Sequence, residues 1–207
     1  SMAQGPYVVT GASKGIGRAI SQKLAAEGHP VLALARSSKE LDEIGEELAA
    51  TCSGSLAIEC DLSQPESIKN AAQLILQSAP WIAGIVHNAG TIFPIMPLAQ
   101  VEIAHWSTSI NANLIGVQDL TQRLLSNLGG KQQSRITTIS SGAALSPVES
   151  WSAYCVAKAG LDMWARCLAA EGASSNISAI SIAPGIVDTG MQSDIRSADP
   201  KLFPKHA

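Results

Sequence analysis

Aromatic residues make up only 4% of this 207-residue chain, and charged residues only 15%. There is no basic tract, and the formal net charge is -3, so bulk charge recruits neither nucleic acid nor an anionic membrane. No apolar run reaches the roughly 18 residues of a membrane span, and no secretory signal pattern is found. The cysteines are Cys52, Cys60, Cys155 and Cys167, with no CxxC pair among them. That spacing argues against a metal site and for reduced thiols in a cytoplasmic protein. Cys155 is either a small packing residue or a modifiable thiol. Linkers, internal repeats and low-complexity tracts are also missing. What remains is a chain 46% hydrophobic, enough for one domain with a real core and too short for two. Scarce charge and frequent alanine point to helices packed tightly on a buried sheet.

Tyr7-Val8-Val9-Thr10 is a short apolar run that leads into Gly11-Ala12-Ser13-Lys14-Gly15-Ile16-Gly17. A helical pattern carrying Ile20 and Leu24 follows and stops at Gly28. Strand, glycine-rich turn and helix in this order can bring backbone N–H groups and a helix N-terminus up to a phosphate. Pro30 to Arg36 is a second predicted strand. Dinucleotide folds that bind a ribose 2′-hydroxyl place a carboxylate near its end. Here the stretch is Arg36-Ser37-Ser38. An arginine can hold a 2′-phosphate, with Lys14 adding charge, which favours NADP over NAD. The same stretch also suits a helix N-cap at Ser37 or Ser38 beside a solvated arginine.

The pattern continues with a helix over Leu41 to Ala50 and a strand over Leu56 to Cys60 ending at Asp61-Leu62. A helix follows with Ser63 as N-cap and Pro65 and Glu66 in its first turn. Trp81 to His87 is a fourth strand, ending at Asn88-Ala89-Gly90. One long helix is predicted from Val101 to Leu128. A fifth strand spans Arg135 to Ile139, a helix runs from Ser152 to about Gly172, and a sixth strand spans Ile177 to Ala183. Strands alternating with helices imply parallel βαβ units and a doubly wound sheet. Ligands of such sheets bind at the carboxyl ends of the strands. Gly11, Arg36, Asp61 and Asn88 all fall there.

Tyr154 and Lys158 are four residues apart, so on a helix they share one face. A lysine held there favours ionisation of the tyrosine, which suits it to proton transfer. His87 is expected to be a structural, neutral histidine in the strand end.

These pieces occur together as TGASKGIG at Thr10 to Gly17, Asp61-Leu62, NAG at Asn88 to Gly90 and NLIG at Asn113 to Gly116. Ser141 then lies thirteen residues before Tyr154, followed by YCVAK at Tyr154 to Lys158 and Pro184-Gly185. The chain resembles the short-chain dehydrogenase/reductase family from about Tyr7 to Gln192, and its Pro184 to Arg196 segment resembles the benzil reductase and sepiapterin reductase branch.

The resemblance implies a Rossmann-type α/β fold, one NAD(P)-binding domain over residues 1–207, and NADPH-dependent reduction of a small-molecule ketone or aldehyde, a diketone or pterin side chain among them. It implies Tyr154 as proton donor, Lys158 as its partner and a ribose ligand, Ser141 on the carbonyl oxygen, and Asn113 holding a water. Gly11, Ser13, Lys14, Gly15, Ile16, Gly17, Arg36, Ser37, Asp61, Leu62, Asn88, Ala89, Gly90, Tyr154, Lys158, Pro184, Gly185, Ile186 and Thr189 would line the cofactor. Family members usually continue through a lid and a seventh strand. That end looks missing here, with 190–207 a partial lid. A lid over Val187 to Ala207 is expected to order on binding. A cofactor-binding regulator of the same fold without catalysis is the alternative.

A homodimer is expected through the Val101–Leu128 and Ser152–Gly172 helices, and a tetramer in a longer native chain. Leu161, Trp164, Ala165 and Leu168 form the apolar stripe that suggests it, with Ala153, Ala157 and Gly160 allowing close helix approach. The same stripe would equally serve a monomer core.

Overall fold

The computed structural model describes residues 4–184. Strands β1 (Tyr7–Thr10), β2 (Val31–Ala35), β3 (Leu56–Glu59), β4 (Gly84–His87), β5 (Ser134–Ile139) and β6 (Ile177–Ile182) form one sheet in the order β3-β2-β1-β4-β5-β6. Every pairing is parallel. The expected doubly wound Rossmann-type sheet is therefore present, with its change of direction between β1 and β4, where such sheets open a ligand crevice.

Side-chain alternation along the strands divides the core between the two faces. Tyr7 and Val9 of β1 point to one side, where they join Ile20 and Leu24 of α1 (Gly15–Ala26) and Leu41, Ile44 and Leu48 of α2 (Lys39–Thr51). Val8 points to the other, where it meets Ile68, Ala72 and Ile75 of α3 (Pro65–Ser78). α4 spans Ile103–Ile110, α5 Gly116–Leu124 and α6 Ser152–Gly172. α5 adds Leu120 and Leu124 to the second cluster, and α6 adds Trp164 and Leu168. Each fully buried leucine or isoleucine of these clusters contributes about 1.5–3 kcal/mol relative to exposure.

Several local expectations need correction. α3 starts at Pro65, with Gln64 and not Ser63 as its N-cap. Ser63 is otherwise engaged: its backbone N–H and its hydroxyl both donate to Asp61 Oδ1, at 2.9 and 2.7 Å. Pro65 suits the first helical position because its absent N–H would have no partner there. β4 starts at Gly84 rather than Trp81, since Ile82 makes only an isolated bridge to Leu128.

The predicted long helix from Val101 to Leu128 is interrupted. A π-turn over Asn111–Ile115 separates α4 from α5, and a 3-10 turn over Leu125–Asn127 ends the run. Gly116 explains the fit on its C-terminal side: a Cβ there would lie 2.3 Å from the Leu62 carbonyl oxygen, so the helix presses directly on the Asp61-Leu62 backbone. π-turns are rare and recur at functional positions.

The apolar stripe of α6 serves the chain itself. Ala153, Ala157, Leu161 and Ala165 are buried, and Gly160 admits the Leu114 side chain, 2.9 Å from where its Cβ would be. Trp164 is half-buried. Its indole N–H donates to Gln118 Oε1 at 2.8 Å, and its ring meets the His87 ring edge-on with centroids 5.7 Å apart.

His87 is structural, as expected. It is buried, its Nε2 lies 2.9 Å from Thr121 Oγ1, and its Nδ1 has no partner among the described residues. Burial pushes its pKa down to about 3. Between that value and the free imidazole's value near 6.5 the unfolded chain binds a proton that the folded one does not. Stability is therefore complete above about pH 6.5 and falls as pH drops below it, by up to about 1.4 kcal/mol per pH unit from this group. Denaturant titrations at stepped pH check this. His87→Gln should flatten the acidic slope, and an unchanged slope in that variant would assign the loss to other groups.

Candidate active site

The carboxyl ends of β1 and β4 are joined by one hydroxyl. Thr10 Oγ1 accepts from the backbone N–H groups of Asn88 and Ala89, both at 3.0 Å. Asn88 Nδ2 in turn donates to the Gly11 carbonyl at 3.3 Å. Gly11 has φ +61°, a conformation that side chains disfavour. Gly17, in the first turn of α1, admits no side chain, because a Cβ would lie 2.1 Å from Gly11 O and 2.5 Å from Asn88 Nδ2. The glycine loop, the α1 N-terminus and the end of β4 thus form one close-packed unit. The first turn of α1 carries no acidic residue, so nothing in that turn neutralises its positive end.

A cleft of about 1160 Å³ runs along these strand ends. Gly11, Ser13, Lys14, Arg36, Ser37, Asp61, Leu62, Asn88, Ala89 and Gly90 line it. Gly15 opens α1, and Ile16 packs against the core on the α1 side of the sheet. Ser38 caps α2, its hydroxyl accepting from Leu41 N–H at 3.1 Å. That leaves Arg36 and Ser37 free of capping duty, and Arg36 is exposed at the mouth. Pro184 follows β6 and is half-buried. Gly185, Ile186 and Thr189 lie outside the described residues, as does the expected lid.

The second group of residues gathers where α6 crosses the end of β5. Lys158 is 4% exposed. Its Nζ donates to the Ile139 carbonyl at 2.9 Å and stands 5.6 Å from the centre of the Tyr154 ring. Burial pulls its pKa down to about 8, against the opposing charge of Asp162. The Trp151 ring meets the Tyr154 ring edge-on, with centroids 5.8 Å apart. Ser141, just past β5, caps a short 3-10 turn: its hydroxyl oxygen accepts from Ala143 N–H at 3.2 Å. Its own O–H remains available to donate.

Asn113 sits in the π-turn and is fully buried. Its Oδ1 accepts from Thr91 N–H at 2.8 Å, and its Nδ2 donates to Thr91 O at 2.8 Å and Ser109 Oγ at 3.2 Å. Both amide hydrogens are engaged, so the side chain works as a clamp on the loop after β4. Gly90 lies between the two groups, with its missing Cβ position 3.1 Å from Asn113 Oδ1 and 3.9 Å from Lys158 Nζ.

Sequence reasoning missed Thr10, Thr91, Ser140, Trp151 and Asp162. For Asp162 the signal was present, since it follows Lys158 at the same four-residue interval that separates Tyr154 from Lys158. Among the described residues there is no cluster of His, Cys, Asp and Glu fit to hold a metal ion.

The fold agrees with what known proteins show. A family model described as short chain dehydrogenase matches residues 7–200. A benzil reductase ((S)-benzoin forming) of Bacillus cereus is 31% identical over 201 residues, covering 95% of this chain and 81% of that protein. Its counterpart in Bacillus subtilis is 33% identical over 207 residues, covering 95% and 80%. Among solved structures, a metagenomic short-chain oxidoreductase in complex with NADP superposes with a TM-score of 0.86 at 28% identity, covering 100% of this chain and 97% of that one.

Proposed function

This chain belongs to the short-chain dehydrogenase family, and from that premise we propose that it is an NADPH-dependent carbonyl reductase. The observation that carries the proposal is the buried Lys158 ammonium held against the Tyr154 ring. The residues fit the cofactor: Gly11 and Gly17 admit no side chain, which keeps the loop backbone close to the α1 N-terminus where a pyrophosphate would approach, and the β2 end offers Arg36 where a carboxylate would repel a 2′-phosphate. Asp61 and Leu62 would border the adenine, and Lys158 the nicotinamide ribose.

When bound, NADPH supplies the hydride that reduces the carbonyl carbon. As negative charge builds on the carbonyl oxygen, the Tyr154 and Ser141 hydroxyls donate to it, and the Tyr154 proton passes to it. Lys158 stabilises the phenolate left behind, and the Ile139 carbonyl keeps Nζ in place. Steady-state NADPH oxidation with benzil tests the proposal. A wild type inert toward a panel of ketones and aldehydes, while still binding NADPH, would favour a binding protein instead.

An apolar substrate suits the rim of the site. Phe93, Ile95 and Leu98 are exposed on the loop after β4, and Leu145 and Val148 on the loop after β5. The two loops are joined where Met96 N–H donates to the Ser150 carbonyl at 2.9 Å. Such a rim favours a ketone with hydrophobic groups beside it, as a diketone has.

NADPH should be preferred over NADH. Arg36→Ala should weaken NADPH binding by about tenfold or more, the loss of a charge-assisted contact, and leave NADH binding nearly unchanged. Fluorescence titration of both cofactors checks this, and equal affinities in the wild type would refute it.

A homodimer is also proposed. With Trp164 used inside the chain, the support rests on Ile103 of α4 and on Val156 and Met163 of α6, which are exposed and apolar. Light scattering at micromolar concentration should give twice the 21.5 kDa of one chain; a mass near one chain would exclude it.

A further inference from the structure

Two successive residues at the end of β5 are tied to two successive turns of α6. The Ile139 carbonyl accepts from Lys158 Nζ at 2.9 Å, and the Ser140 hydroxyl donates to Asp162 Oδ1 at 3.0 Å. On its other side Ser140 N–H donates to the Ile182 carbonyl at 2.7 Å, which fixes the strand end against β6. Ser141 is the next residue, so this double tie sets its position relative to Tyr154. Asp162 enters no ion pair with a lysine, arginine or histidine among the described residues. Its charge is therefore not spent on a surface partner.

The ionisable groups that face Lys158 are Tyr154 and Asp162, both on its own helix. Around it β5 presents the Ile139 carbonyl, the loop after β4 presents Gly90, which has no side chain, and the π-turn presents the neutral amide of Asn113. Burial alone disfavours the ammonium. Asp162 is the charge that opposes it, in surroundings where charges act on one another more strongly than in water.

We propose that Asp162 is a positioning residue for carbonyl reduction: through Ser140 it holds Ser141 in register with Tyr154, and its carboxylate, one helical turn from Lys158, favours the Lys158 ammonium. The inference rests on the reductase activity proposed above. A neutral Lys158 could neither stabilise a phenolate nor serve the ribose as a full donor.

The charge is tested without substrate. In protein labelled with 13C-lysine, the Lys158 Cε resonance is assigned by its absence from Lys158→Met and followed against pH. The wild-type midpoint should lie near about 8. In Asp162→Asn, whose amide oxygen still accepts from Ser140, it should fall by about 0.5 pH unit or more. A midpoint equal to the wild type's would overturn the electrostatic role. Asp162→Ser is the second neutral variant should the first not fold, and the same two outcomes decide it.

The tie is tested by Ser140→Ala, which keeps the charge. It should lower kcat by about tenfold with KM for NADPH nearly unchanged, because only the placement of Ser141 is loosened. An unchanged kcat would overturn that role, and Ser140→Thr, which retains the hydroxyl, should restore most of the loss. A wild type that reduces no carbonyl would defeat the proposed function yet leave the Lys158 titration valid. An active wild type with an unmoved titration would defeat the electrostatic role alone.

Discussion

Replacing Tyr154 with phenylalanine is expected to lower turnover by at least about 100-fold while NADPH still binds. The substitution removes one hydroxyl and keeps the ring. The edge contact with Trp151 and the Lys158 ammonium over the ring face both survive, so the helix and the cofactor pocket should keep their shape. What disappears is the proton that must reach the carbonyl oxygen as hydride arrives. Ser141 can still donate a hydrogen bond, but an aliphatic hydroxyl is a far weaker acid than a phenol and gives up its proton much less readily. The loss should therefore fall on kcat. NADPH oxidation with benzil measures the rate, and cofactor fluorescence measures binding. A variant retaining more than about a tenth of wild-type turnover would show that another group supplies the proton.

The second large effect is expected from the smallest change. Gly17→Ala adds one methyl group, and that methyl would sit 2.1 Å from the Gly11 carbonyl oxygen. Neither obstacle can retreat easily. Gly11 is held at positive φ, and Asn88 is bonded to it through its side chain and to Thr10 through its backbone. The loop must move off α1, which costs about 1–3 kcal/mol of stability as other overpacked sites do. It also displaces the N–H groups that would meet the pyrophosphate. NADPH affinity should fall by at least about 100-fold, since several contacts are misplaced together. Calorimetric melting and cofactor titration on the same preparation separate the two losses. Wild-type affinity in Gly17→Ala would mean that the cofactor binds elsewhere.

Much of this was legible because it is local. A glycine that must accept positive φ, a hydroxyl in a helix cap and a continuous apolar run in a strand covered on both faces each leave their mark within a few residues. Gly11, Ser38 and Val8 show this directly. The Tyr154–Lys158 pair was legible for the same reason, as helical spacing alone puts both on one face. The parts that escaped depend on distant partners. The π-turn arises where Asn113 meets Thr91 and Gly116 meets Leu62, contacts that no window of the helix contains. Ser63 looked like a cap because its rival partner, Asp61, was not weighed. The α6 stripe stated that an apolar face needs cover without stating whose. In the folded chain Leu114 and the His87 end of β4 provide part of that cover.

The π-turn also determines where this chain can change length. A residue added to or removed from an exposed loop shifts little beyond that loop. Within Asn111–Ile115 the wide turn holds about one residue more than an α-turn, so loss of one residue would restore an ordinary helix and leave the residues after it facing nearly as they do now. Val117, Leu120, Thr121 and Leu124, now buried, would keep their face on the sheet, while Asn113 would lose either its clamp on Thr91 or its place beside Gly90. In-frame deletion of a single codon here should thus spare the packing of α5 and strike the Asn113 clamp, a loss that falls on the site and not on the fold. The number of residues between Trp106 and Gln118 is as much a part of the site as the identity of Asn113.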